Sequence, residues 1–169
     1  MNWRVIVAVV VAFVVGIGAG GLVEHQRLKH KSNSSASGSK KGTPTTVSTA
    51  AWFGSRASTA CPALKSWSAS AVASYQALYT KTPWKTKQAT LLKQINVAGN
   101  AYKAMVPIAT PAGKAQLQFL VAHQAQLSTA NRTAASEAAY LKAQKASSTP
   151  RVKHDIAIVS QAAKRCSAG

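Results

Sequence analysis

The sequence predicts an all-α protein: an apolar N-terminal segment (1–23), a basic spacer (24–57) and an antiparallel, up-and-down bundle of four helices (58–169). Three observations carry this reading. Beyond the spacer, apolar and small residues recur at steps of three and four, which places them on one face of a helix. Thr-Pro pairs recur at Thr82-Pro83, Thr110-Pro111 and Thr149-Pro150. Each suits a helix start, because Thr can cap the first amides and Pro needs no amide hydrogen there. Strand-like alternation does not occur, and good helix formers (Ala, Lys, Gln, Leu) fill the positions between the stripes.

Arg4 precedes an uncharged run, Val5–Val23. About 20 apolar residues are needed to cross a bilayer, so this run is just long enough for a membrane anchor. The competing reading is a signal peptide with Ala19 before the cut. Gly16, Gly18 and Gly21 fit G-x-G-x-x-G. A dinucleotide site also needs a preceding strand and an acid about 20 residues on, and neither is present. Gly16 and Gly20 read as ordinary small residues of a span. After the span lie Arg27, Lys29, Lys31, Lys40 and Lys41. By the positive-inside rule they favour a cytoplasmic C-terminal part.

The spacer contains "KSNSSASGSKKGTPTTVST", Lys31 to Thr49, which has little to bury and reads as flexible. Four segments follow. The first carries Cys61, Leu64, Ser68, Ala71, Tyr75 and Leu78 on one face. The second carries Trp84, Gln88, Leu91, Ile95, Ala98, Tyr102 and Met105. The third carries Leu120, His123, Leu127, Ala130, Ala134 and Leu141, with Glu137 among them. The fourth carries Val152, Ile156, Val159, Ala163 and Cys166. The third segment is much longer than the fourth. A bend at Ser128–Ser136 reconciles them, since its Ser, Thr and Asn side chains compete for backbone hydrogen bonds. Asn33 and Asn131 stand in N-x-S/T sequons, which matter only in a eukaryotic secretory route.

Cys61 and Cys166 are the two cysteines. Cys61 follows a hydrophilic spacer rather than the apolar run, which excludes a lipid-anchored cysteine. Two cysteines and four scattered histidines do not make a metal site. A nucleophilic thiol needs an activating base, and His123 reads more simply as a packed helix residue. A disulfide fits best, because Cys61 opens the first stripe and Cys166 closes the last. Disulfides persist in oxidising compartments, which sets the C-terminal domain outside the cytoplasm, against the flanking charges.

Composition narrows the function. The 169 residues hold 21 Lys and Arg against three acids, a net charge of +18. So few carboxylates leave no room for paired-carboxylate catalysis or a carboxylate-rich bundle metal site. A non-enzymatic protein without cofactor or metal is expected, tethered to the membrane through residues 5–23. Its partner would be anionic: a cell-wall polymer, lipid head groups or an acidic protein. Lys65, Lys81, Lys85, Lys87, Lys93 and Lys103 are the candidate contacts, being dense over the first two segments. The alternative is cell-surface nucleic-acid binding, with Trp84 stacking on a base beside Lys85 and Lys87.

Overall fold

The computed structural model describes residues 49–168, and these contain six α-helices and no strand. They are α1 (Thr49–Phe53), α2 (Cys61–Leu78), α3 (Trp84–Met105), α4 (Pro111–Thr133), α5 (Glu137–Ser147) and α6 (Pro150–Ala168). The apolar run Val5–Val23 and most of the spacer lie outside the described residues. Among those described, no helix is long and apolar enough to cross a membrane.

Two of the three Thr-Pro pairs start helices through the threonine. Thr110 Oγ1 accepts from the Gly113 amide at 3.2 Å, and Thr149 Oγ1 accepts from the Val152 amide at 3.3 Å. At the remaining pair Pro83 is itself the cap residue, and Thr82 shares a 2.8 Å hydrogen bond with Thr80 instead.

Four long helices correspond to the four predicted segments, but the third segment is cut in two. Residues 134–136 leave the helix, and Ser136 Oγ caps α5 by accepting from the Ala139 amide at 3.2 Å. Glu137 in the first turn of α5 suits the positive end of the helix dipole. The bend expected between Ser128 and Ser136 is therefore a full break.

The ordered bundle also begins earlier than residue 58. Trp52 and Phe53, within the stretch assigned to the spacer, are each only 2% exposed. Helix α1 lies on the start of α4. The Thr110 amide donates to the Trp52 carbonyl at 2.8 Å, and Thr110 Oγ1 donates to the Ala51 carbonyl at 2.6 Å. Gly113 makes the approach possible, because a Cβ there would overlap the Trp52 backbone.

The core has two parts. One gathers Trp52, Phe53, Leu64, Trp67, Tyr102, Met105, Leu117, Leu120 and the inner face of α6. The other gathers Leu78, Leu91, Ile95, Leu127 and Tyr140, with Trp84 and Leu141 against them. Helices α2, α3 and α4 run through both. Helix α6 contributes only to the first and α5 only to the second. Cys61 and Cys166 form a disulfide with alpha carbons 5.4 Å apart, joining the start of α2 to the last turns of α6.

Candidate functional site

Between residues 57 and 169, fourteen Lys and Arg face two acids, Glu137 and Asp155. Each acid has a cation nearby. The Lys87 ammonium lies 2.7 Å from Glu137 Oε2 and also donates to the Leu78 carbonyl at 2.9 Å, tying the end of α2 to α3 and α5. Asp155 Oδ2 is 3.8 Å from Nε of the exposed Arg151, too far for a hydrogen bond, and its buried side chain finds no hydrogen-bond donor for that oxygen among the described residues. Desolvation holds the Asp155 carboxyl above the usual carboxylate range, while Arg151 and His154 pull it down. The Arg151 guanidinium also lies 3.9 Å from the centre of the Phe119 ring and donates to Gln116 at 3.1 Å.

Five of the six candidate lysines are exposed: Lys65, Lys81, Lys85, Lys93 and Lys103. On α3, Leu91, Ile95, Ala98 and Tyr102 face the core, so the helical period directs Lys93 to the opposite face and Lys85 and Lys103 to one flank. Lys65 projects from α2, and Lys81 sits in the turn between α2 and α3. Lys87 is different: it is 8% exposed, and its charge is engaged inside the fold. The sequence offered no sign of this, since Lys87 and Glu137 stand 50 positions apart. The remaining bases are spread over α4, α5 and α6, so the cationic character belongs to the whole surface.

Trp84 is committed to packing. Its indole N–H donates to the Ala134 carbonyl at 3.0 Å, and its ring lies 5.8 Å from that of Tyr140. Burial pushes the Tyr140 hydroxyl up to about 12. His123 is 5% exposed, and desolvation holds its pKa below the ordinary value, which favours the uncharged ring. The cysteines carry no thiol. Asn131 of the second sequon is fully buried inside α4, a place a bulky glycan does not fit.

A pocket of about 110 Å³, partly open to solvent, lies where the two core parts meet. Trp67 and Tyr102 of the first part line it, as do Leu91, Ile95 and Tyr140 of the second. Gln144 of α5 and Ile156 of α6 also reach it. No charged side chain, histidine or cysteine is among its lining residues. Among the described residues, no group of three or more His, Cys, Asp or Glu could hold a metal ion. No family model, curated protein or solved structure matches this chain.

Proposed function

We propose that this chain is a non-enzymatic, membrane-tethered protein whose up-and-down helical domain stands outside the cytoplasm and holds an anionic partner of the cell envelope. The observation that supports it most is the fate of the acids. Glu137 is paired with Lys87 inside the fold and Asp155 is buried beside Arg151, so neither carboxylate stands on the surface among the exposed lysines. A surface of one sign attracts polyanions over a long range and binds them without a shaped pocket. The disulfide supports the compartment, since such bonds persist where the surroundings oxidise. The partner is a wall polymer, a lipid head-group surface or an acidic protein. The anchor would be the run Val5–Val23.

The test is binding of the full chain to phosphate-rich wall polymer and to vesicles of anionic or neutral lipid, across a range of salt. Binding to the anionic surfaces should weaken steeply between 50 and 200 mM salt, as for any contact dominated by exposed charges. Replacing Lys85, Lys93 and Lys103 by Gln should weaken it further. Equal binding at both salt levels, or in the triple variant, would defeat the proposal. Single- and double-stranded DNA serve as comparison, and tighter retention of DNA than of polymer or lipid would favour a nucleic-acid partner instead.

A further inference from the structure

We infer that the bundle carries two binding faces on opposite sides and bridges two chains of a linear, phosphate-bearing polymer, an inference that rests on the anionic partner proposed above. The bases are unevenly placed among the helices. Helix α2 carries only Lys65, and α4 carries only Lys114 and Arg132, one towards each end. Helix α3 turns Lys93 away from its buried face, with Lys85 and Lys103 on one flank. Lys142 of α5 points away from Tyr140, with Lys145 on the flank, and Lys164 of α6 points away from Val159 and Ala163. All six of these lysines are exposed. Arg151, Lys153 and Arg165 add to the charge of α6.

The two rows of lysines face opposite ways because of how the helices pack. Helix α3 packs against α2 and α4, and α6 packs against the same two helices. Tyr140 and Gln144 of α5 line the same pocket as Ile156 of α6, so α5 extends the α6 side. Neighbouring helix axes lie about 8–10 Å apart, which puts α3 and α6 about 13 Å apart on the diagonal. With side chains a helix is about 10–12 Å across, so the two outer faces are about 24 Å apart. Screening at physiological salt acts over about 8 Å. A polyanion on one face therefore leaves the charge of the other nearly intact.

The shape of the two faces selects the partner. Faces that point apart cannot both lie on one flat lipid surface, whereas a thin chain can lie along each. Lys85 to Lys103 spans about 27 Å of α3 at 1.5 Å per residue, long enough to track several phosphate groups of an extended chain. No carboxylate stands on either row, since Glu137 is engaged by Lys87 and Asp155 is buried. The sides between the rows hold few bases, so a single chain gains little by wrapping from one face to the other. Lysine suits this contact, because its ammonium is a point charge on a flexible stem and meets phosphate groups without a fixed register.

The test mixes the full chain with two pools of long-chain polyphosphate, one labelled with a donor dye and the other with an acceptor. Energy transfer between the pools should appear when protein is scarce. It should fall when protein is in excess, because each polymer then finds protein of its own. It should vanish at about 1 M salt, where charges act over only about 3 Å. Two triple variants separate the faces: Lys85→Gln with Lys93→Gln and Lys103→Gln, and Lys142→Gln with Lys145→Gln and Lys164→Gln. Every one of these positions is exposed, so both variants should keep the helix content of the parent. Each should still bind polyphosphate, at a lower capacity, and lose most of the energy transfer. Binding by the parent without energy transfer would overturn the bridge and leave the anionic partner standing. Energy transfer undiminished in either variant would overturn it too, since several copies acting together would then join the polymers. No binding at low salt would defeat both the anionic partner and the bridge.

Discussion

Lys87 sends one ammonium group to two acceptors, the carbonyl of Leu78 at 2.9 Å and the carboxylate of Glu137 at 2.7 Å. Its side chain is 9% exposed and that of Glu137 34%, so the pair is only partly dry. Removing one partner of a fully buried pair costs about 3–5 kcal/mol, chiefly because the other is left unmatched. Lys87→Met keeps the stem and deletes the charge. Since water still reaches Glu137, the expected loss is about 2–3 kcal/mol, read by urea unfolding. A loss below about 0.5 kcal/mol would show that the contact is incidental. His123 acts through pH. Burial holds its folded pKa below the ordinary value, so the unfolded chain takes up the proton first as pH falls. Stability from this group is complete above about pH 6.5 and declines as pH drops toward the folded pKa. Unfolding measured between pH 7.5 and 5 should show that decline, and His123→Leu should flatten it. An unchanged slope in the variant would assign the effect elsewhere.

At the scale of elements, α1 is held by very little chain. Five residues bury two aromatic side chains, and the seat depends on Gly113 and Thr110. Gly113→Ala should force Trp52 away from α4, break the two Thr110 bonds and expose both rings. A cost of about 2–4 kcal/mol is expected, typical of a core that cannot absorb added volume or loses a large side chain. Hydrogen exchange at residues 50–53 should accelerate with it, and protection equal to the parent would refute the account. Legibility in the sequence varied with the side chains available. In α3 the predicted stripe is buried from Leu91 through Ile95, Ala98, Tyr102 and Met105, because large residues at regular spacing leave one possible face, while its first two members, Trp84 and Gln88, are half-buried. In α2 the stripe was partly out of phase: Trp67 and Ser70 turn inward, while Ser68 and Tyr75 are half-buried. Ala and Ser dominate that helix and carry little directional signal. Helix α1 was hidden because two aromatic residues beside a Ser/Thr-rich spacer show no periodicity. The α4–α5 break was visible in its polar residues. The Lys87–Glu137 pair and the pocket were not, since both arise from contacts between distant segments.

At the scale of the whole molecule, a charge of +18 works against compactness, because like charges repel in the folded state more than in the expanded chain. The core that must oppose this repulsion is rich in alanine and borders a partly open pocket. The Cys61–Cys166 bond therefore has a clear physical task. It closes a loop across 105 positions and ties α6 to α2 at the end where α1 also packs. In the chain-entropy model a loop of that length contributes roughly 4–5 kcal/mol by restricting the unfolded chain. Cys61→Ala and Cys166→Ala should each lose about this much, and the double variant should lose no more than either, because all three remove the same bond. Reduced protein should melt well below the oxidised form. Added salt should raise the melting temperature of both forms, since it screens the repulsion that the bond helps to resist. Compartment can be read from the same bond. In intact cells the two cysteines should resist a membrane-impermeant thiol reagent until a reductant is added. Full labelling without reductant would show free thiols at an accessible surface and remove the redox argument. No labelling even after an impermeant reductant would place the domain on the cytoplasmic side, in agreement with Arg27, Lys29, Lys31, Lys40 and Lys41 beyond the apolar run.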